Sequence, residues 1–267
     1  MAVTLTIDNA IATVQLDRPE KLNALDVEHL VELRKHLASA SADPFVRAIV
    51  LTGGTGRAFC AGADLTASSQ NDVGVAEGFG LTLEESGQRG LYIRLLDLRG
   101  LQIKKPLIAA VNGFCLGGGL ELALQCDFIV ASHASSFGLP EVVVSSLPGA
   151  GGVPNLLKAI PRNVAMRMLL TGERISAQRA YDVGLVTDLC PPEELAAVSA
   201  SIASKIAENG PLAVQLVKML AVQSENMAAS QSQQLTELAW GLLRDTEDRR
   251  EGKAAFAEKR KPNYRGR

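Results

Sequence analysis

The segment Val111-Asn112-Gly113-Phe114-Cys115-Leu116-Gly117-Gly118-Gly119-Leu120-Glu121-Leu122-Ala123 constrains this chain more than any other. Three consecutive glycines open directly on an apolar helix. The first amide N–H groups of a helix have no partner inside it and attract negative charge. Glycine, lacking Cβ, lets a ligand oxygen come up to that backbone. Glu121 lies three residues past Gly118, within one helical turn of the same point. One turn of chain therefore offers a donor for an oxyanion beside a carboxylate that can give or take a proton. The alternative is a close strand-to-helix packing turn. It is not a dinucleotide fingerprint, because G-x-G-x-x-G is absent, and not a phosphate loop, because no Gly-Lys-Ser/Thr follows.

Two further segments bear on this reading. Ala58-Phe59-Cys60-Ala61-Gly62-Ala63-Asp64-Leu65 crowds small residues into a loop after a strand. Such a loop lets ligand atoms lie against the backbone, and an N–H near Ala63 can donate to an oxygen; otherwise it is a tight turn packed in the core. Phe137-Gly138-Leu139-Pro140-Glu141-Val142 places an acid in an apolar stretch, ahead of Pro148-Gly149-Ala150-Gly151-Gly152. Acids are rarely buried without a partner or a purpose, and burial raises their pKa. A salt bridge or a helix cap is the plainer explanation. Two carboxylates in apolar settings with an anion-binding backbone between them suit a paired acid/base site.

Hydrophobic patterning gives the frame. Val3 to Ile7 and Ile11 to Leu16 predict a hairpin around Asp8-Asn9-Ala10. Asp26 predicts an N-cap, with a helix to about Ala40 burying Leu30, Leu33 and Leu37. Arg47 to Thr52, Leu107 to Val111 and Phe128 to Ala131 read as strands. Residues 66–80 carry weak signals, and one helix is predicted from Thr82 to Ile103. After Pro161 the pattern is helical over about 162–170, 176–182, 192–208, 211–223, 230–244 and 247–258. Alternating strand and helix argue for α/β layers. The predicted organisation is an α/β core over residues 1–195 and a helical region over 196–267.

Composition narrows the function classes. The chain has 267 residues, 47% of them hydrophobic, and a net charge of −2, so a sizeable core is available but no broad field for nucleic acid or a membrane surface. Cys60, Cys115, Cys126 and Cys190 show no CxxC spacing and read as buried free thiols of a reducing compartment. With no signal-peptide pattern and no apolar stretch of about 20 residues, a cytosolic protein is expected, an organelle matrix being the alternative. His29, His36 and His133 have no metal-ligand spacing; His29 and His36 read as solvated helix residues. No G-x-S-x-G or H-E-x-x-H occurs. The basic C-terminal run from Arg249 to Arg267 reads as a solvated helix end and tail, a phosphate contact being the sharper alternative.

Taken together these residues resemble the enoyl-CoA hydratase/isomerase (crotonase) superfamily, and the match covers most of the chain. It is carried by Leu16-Asp17-Arg18-Pro19 with Asn23-Ala24-Leu25, Phe59 to Leu65, Val111 to Asp127, Phe137 to Gly152, Thr171-Gly172 with Ala177 to Asp188, and Phe256-Ala257-Glu258-Lys259-Arg260. The resemblance implies an α/β spiral of ββα units with a C-terminal helical trimerisation region, assembled as a trimer or as a hexamer of two trimers. It implies an oxyanion hole from the N–H groups of Ala63 and Gly118, and a glutamate pair, Glu121 and Glu141, twenty residues apart, as in the family's hydratases. It implies an acyl-CoA thioester substrate, with Lys21, Leu22, Ala61, Asp64 and Leu65 on its coenzyme A side and Phe256 and Lys259 reaching it from a neighbouring subunit. No metal or redox cofactor is called for, since coenzyme A arrives with the substrate. A one-glutamate double-bond isomerase, a dehydratase of a functionalised acyl-CoA such as a carnitinyl-CoA, and a non-catalytic acyl-CoA-binding protein are the alternatives. One departure stands out: Ser145 occupies a position where the hydratases commonly have glycine.

Overall fold

Strand-forming residues make β1 (Val3–Asp8) and β2 (Ile11–Leu16) an antiparallel hairpin. The computed structural model describes residues 3–64 and 74–267. From β2 the sheet continues through β3 (Ala48–Thr52), β5 (Leu107–Val111), β7 (Phe128–Ser132) and β10 (Asp188–Cys190), all parallel, in the order β1-β2-β3-β5-β7-β10. A smaller sheet has the order β4-β6-β8-β9, from β4 (Ala58–Cys60), β6 (Phe114–Leu116), β8 (Ser136–Gly138) and β9 (Ile175–Ser176).

The chain passes from the large sheet to the small one three times: β3 to β4, β5 to β6, and β7 to β8. Each passage is followed by helix before the next strand of the large sheet, so the ββα unit repeats as a spiral. Asn112, Ser132 and Ser135 fasten two of these corners. The Ser132 hydroxyl donates to the Asn112 carbonyl oxygen (2.6 Å), Asn112 donates to the Gly56 carbonyl (2.7 Å), and Ser135 donates to the Val111 carbonyl (2.9 Å). Buried polar groups of this kind are tolerated because each has a partner.

Helices cover both faces. On one face Ile49, Leu51, Leu107, Ala109 and Val111 pack with Leu30, Leu33 and Leu37 of α1 (Val27–Ala42). The alternate residues Ala48, Val50, Ile108, Ala110 and Val130 point the other way, onto Leu195 and Ala203 of α9 (Leu195–Ala207). Successive side chains of a strand face opposite sides, so the central parallel strands must be apolar throughout. The remaining helices are α2 (Val75–Phe79), α3 (Leu83–Ser86), α4 (Ile93–Leu96), α5 (Gly118–Ala123), α6 (Gly152–Ala159), α7 (Arg162–Thr171), α8 (Ala177–Asp182), α10 (Pro211–Ser224), α11 (Ala229–Arg244) and α12 (Glu247–Ala257). Among the described residues no helix is long and apolar enough to cross a membrane.

The hairpin, the Asp26 cap, the three long strands and the helices after Pro161 follow the sequence patterns. Four readings are corrected. The segment from Thr82 to Ile103 is not one helix: α3 runs into a π-turn over Gly87–Leu91, then α4, an extended Asp97 and a 3-10 turn at Arg99–Leu101. Gly87 packs against Leu95, where a Cβ would lie 2.3 Å from Cδ1. The loop read at residues 58–60 is β4; β6, β8, β9 and β10 are likewise too short to show a period. Helix α6 starts from the glycine run at 149–152, which gave no helix signal. His29 and His36 are not solvated. The His29 side chain is 12% exposed with Nδ1 2.6 Å from Asp26 Oδ1, because the N-cap carboxylate draws it in, and both Nε2 atoms are buried without a partner among the described residues.

Candidate active site

Three segments converge, each at the exit of a strand of the small sheet. The first is the turn Ala61–Asp64 after β4. It is zipped to the segment Arg18–Asp26: Ala61 N–H donates to Leu22 O (3.0 Å), Leu25 N–H to Gly62 O (2.8 Å) and Asp64 N–H to Leu25 O (2.8 Å). Asn23, buried beneath them, sends its amide to the carbonyls of Gly53, Ala58 and Phe59, the shortest contact being 2.8 Å. Arg18 bridges Asp64 (3.0 Å) and Asp26 (3.3 Å), and Lys21 Nζ lies 4.0 Å from Asp64. Lys21, Leu22, Ala61 and Asp64 thus share one rim. Leu65 lies outside the described residues.

The second segment is the passage from β6 into α5. Gly117, with φ 54° and ψ −129°, makes the turn, a conformation open to glycine and strained for other residues. A Cβ on Gly118 would stand 3.9 Å from Ala63 N, and one on Gly62 would stand 3.3 Å from Gly118 N. The two amides are therefore neighbours across a glycine-lined contact. Neither the Ala63 nor the Gly118 N–H has an acceptor among the described residues. Free, adjacent backbone donors beside a cluster of acids are suited to a carbonyl oxygen that gains negative charge.

The third segment follows β8. A 3-10 turn over Pro140–Val144 carries Glu141 and ends at Ser145, which sits in the left-handed region (φ 58°) normally favoured by glycine. Ser145 therefore keeps the backbone shape of the turn at the cost of local strain. Glu141 Oε1 lies 3.3 Å from where a Cβ of Gly117 would be, so this carboxylate faces the turn of the second segment.

Glu121, on α5, is 2% exposed. Its Oε1 accepts from Ala150 N–H (2.7 Å) and Gly152 N–H (2.9 Å), both on the strap between Pro148 and α6. Burial raises its pKa, and the N–H groups of Gly152, Ala150 and Gly149 pull it back. Its anion is thus held by the strap, not by the start of its own short helix. Glu141 has no such cradle. Burial pushes its carboxyl up to about 7, its own N–H opposes this, and the charge of Glu121 adds to it. Its Oε2 is buried with no hydrogen-bond partner among the described residues. Two acids near each other thus sit in unlike surroundings, one cradled by N–H donors and one largely desolvated, which is how an acid and a base are kept side by side at one pH.

Phe256, 88% exposed, lies in the last turn of α12, and Lys259 lies just past the helix in a left-handed turn. Within one chain α12 is not among the elements that pack extensively on α5. The basic tail is held down rather than loose: Arg260 is bidentate to Glu251 (2.6 and 2.9 Å), and Asp248 accepts from the backbone N–H of Arg265 and Gly266. A separate surface cavity of about 470 Å³, lined by Arg167, Arg174 and Arg179, contains neither glutamate of the pair.

Comparison with known proteins agrees with this arrangement. A family described as Enoyl-CoA hydratase/isomerase matches residues 6–267. The chain belongs to the enoyl-CoA hydratase/isomerase family. Over the whole length of both proteins it is 44% identical to the (E)-benzylidenesuccinyl-CoA hydratase of Thauera aromatica. It is 38% identical to the 2,3-dehydroadipyl-CoA hydratase of Escherichia coli K12, covering 96% of each. The crystal structure of enoyl-CoA hydratase from Bacillus anthracis superposes with a TM-score of 0.89 at 34% identity, covering 100% of both chains.

Within this family member the sequence signals were incomplete in two places. The strap that holds Glu121 was visible only as a glycine run of no stated role. Tyr92 was missed: it lies at the junction of the π-turn and α4, and its phenol feels the charge of both glutamates. As the one tyrosine between Thr82 and Ile103, it offered a residue type but no pattern.

Proposed function

We propose that this chain is an enoyl-CoA hydratase, adding water reversibly across a trans-2-enoyl-CoA to give the 3-hydroxyacyl-CoA. The carrying observation is the pair of acceptor-free amides, Ala63 and Gly118, set beside two buried glutamates in unlike environments. The thioester oxygen sits between the two N–H groups, which stabilise it as it takes on enolate character; one such donor typically contributes about 3 kcal/mol. Glu121, whose carboxylate form the strap N–H groups favour, takes a proton from water as the oxygen bonds to Cβ. Glu141, which keeps its proton to near neutral pH, delivers one to Cα. The alkene thus gains OH at Cβ and H at Cα, the elements of one water molecule. Return of a proton from Glu121 to Glu141 through solvent restores the site. Positioned proton transfer of this kind contributes about 10²–10⁴-fold.

The coenzyme A side lies along the rim of Lys21, Leu22, Ala61 and Asp64, extended by Leu65 and by Phe256 and Lys259 of a neighbouring subunit. The assembly is a homotrimer or a hexamer, with 196–267 as the oligomerising region and 1–195 as the core, in a cytoplasmic setting. Exposed Leu238, Trp240 and Leu242 on α11 support this. The test is hydration of enoyl-CoAs of different chain length and of functionalised enoyl-CoAs, followed by loss of enoyl absorbance. Isomerisation of 3-enoyl-CoA is run in parallel. E121Q should lower hydration by about 10²–10⁴-fold. A variant that keeps most of a measurable isomerase activity, in a protein that hydrates nothing, would instead identify a one-glutamate isomerase.

A further inference from the structure

The turn that carries the Ala63 amide is built on the segment Arg18–Asp26. Leu25 and Ala63 form a parallel bridge in which Leu25 N–H donates to Gly62 O and Asp64 N–H donates to Leu25 O. Both bonds run to the neighbours of Ala63, so its own N–H points off the ladder. It is this nitrogen that lies near Gly118. The supporting segment is strained: Leu22 and Asn23 have φ of 53° and 54°, in the left-handed region that favours glycine. Such strain persists only where the surroundings over-determine it. Arg18 supplies much of that constraint. Its N–H donates to Asn23 Oδ1 (2.8 Å), its carbonyl accepts from Asn23 N–H (2.9 Å), and its guanidinium donates to Ala24 O (3.2 Å). The same guanidinium nitrogen is 3.0 Å from Asp64 and 3.3 Å from Asp26. The Asp64 side chain is only 5% exposed, so its charge is scarcely solvated, and it follows directly on Ala63.

We propose that Arg18 is a positioning residue of the oxyanion hole: its guanidinium ties Asp64 to Asp26 across the bridge and so fixes the direction of the Ala63 N–H. The inference rests on the hydratase reading for the identity of the oxygen received there, but the clamp is a property of the resting protein. Asp26 is the N-cap of α1, its Oδ1 accepting from His29 N–H (3.0 Å). The clamp therefore refers the Ala63 turn to a 16-residue helix whose Leu30, Leu33 and Leu37 are buried in the core. A donor aimed from such a rigid element keeps its direction when charge develops on the ligand. Charge gives Arg18 a second reason to be there. A carboxylate beside the hole opposes the negative charge that the hole receives, and a guanidinium 3.0 Å away offsets it. Lys21 Nζ, 4.0 Å from Asp64 and half-exposed, is a looser partner. Without Arg18, two carboxylates that shared one cation are left facing each other, and a partly buried charge stripped of its partner is strongly unfavourable. Neutralising Asp64 in that background must then undo the damage, which it would not do if Arg18 acted by packing alone.

The test is hydrogen exchange of the Leu25 amide, a donor of the bridge whose neighbours in sequence none of the variants changes. It is measured in the full-length protein, in Arg18→Gln, and in Arg18→Gln combined with Asp64→Asn. Exchange should be at least about tenfold faster in the single variant and return to within about threefold of the unaltered protein in the double. If the protein hydrates an enoyl-CoA, kcat should fall about 10–100-fold in Arg18→Gln with KM within about threefold, and the double variant should recover most of that loss. Unchanged Leu25 exchange in Arg18→Gln overturns the inference whether or not any substrate turns over, as does faster exchange that the double variant fails to slow. Faster exchange with kcat unchanged in a working hydratase overturns it too. Exchange that quickens and is then restored, in a protein that hydrates nothing, supports the clamp and counts against the hydratase reading alone. Should Arg18→Gln fail to fold, a folded double variant with Leu25 exchange within about threefold of the unaltered protein supports the clamp, and a double variant that exchanges faster or also fails to fold overturns it.

Discussion

Glu121 and Glu141 are both acids raised by burial, but they meet different fates on ionisation. Glu121 gains hydrogen bonds from the strap amides when charged, whereas Glu141 has an oxygen with no donor to turn to. The consequence for stability has a definite sign. The carboxyl of Glu141 titrates at about 7 in the folded protein against 4.5 for the ordinary group. Between these values the folded state holds a proton that the unfolded chain has released, so stability falls as pH rises through that window. Below pH 4.5 the group is protonated in both states and contributes no difference. E141Q cannot ionise and escapes the penalty. It should match the unaltered protein at pH 4.5 and exceed it at pH 8, by about 1–2 kcal/mol once the exposed part of the carboxylate is discounted. Thermal melts at the two pH values check this, with a gain of a few degrees at pH 8 only. An equal gain at both would mean that Glu141 does not titrate in that range.

At the level of elements, the site depends on how β6 turns into α5. Gly117 holds a positive φ while its neighbour Gly118 presents a free N–H, and a Cβ on Gly117 would press towards Glu141 Oε1. Gly117→Ala should therefore cost about 1–3 kcal/mol of backbone strain and displace the donor as well, lowering kcat/KM by at least about 10²-fold. Gly184 is a matched control, with φ 83° and open space around it. Gly184→Ala should lose comparable stability while keeping kcat, as urea melts and turnover on the same preparations would report. The difference between the two glycines also shows what the sequence can carry. A run of glycines ahead of an apolar helix points to a turn with free N–H groups because it depends on local order, whereas the twenty-residue spacing of Glu121 and Glu141 takes its meaning from the family resemblance. The three-residue strands β4, β6 and β8 are too short to show a period, and the break of the Thr82–Ile103 segment goes with packing of Leu95 on Gly87 within it and of Ile93 and Leu96 on the distant Gly149 and Gly118. The cradle on Glu121 and the place of Tyr92 are set by those long-range contacts and are silent in any window of sequence.

For the whole molecule, the distribution of apolar surface carries the argument. The central strands of the large sheet are buried on both faces within one chain. The C-terminal helices are different. Val217 and Val222 on α10 and Leu238, Trp240 and Leu242 on α11 are each more than half exposed. Exposed apolar surface of this kind is what an interaction face presents, and obligate interfaces resemble a core cut in half. The proposed trimer or hexamer would account for that surface, and it would bring Phe256 and Lys259 of one subunit towards the coenzyme A rim of the next. Trp240 is the chain's single tryptophan, with the Arg244 guanidinium 5.9 Å above its ring. Its emission therefore reports burial of this face without a label. In the assembled protein the emission should be that of a buried indole, and light scattering should give a multiple of 28.3 kDa. The double variant Leu238→Glu, Leu242→Glu should dissociate to the monomer mass, shift the Trp240 emission to the red and raise KM for a CoA ester. A variant that stays assembled with unchanged emission would move the interface off α11.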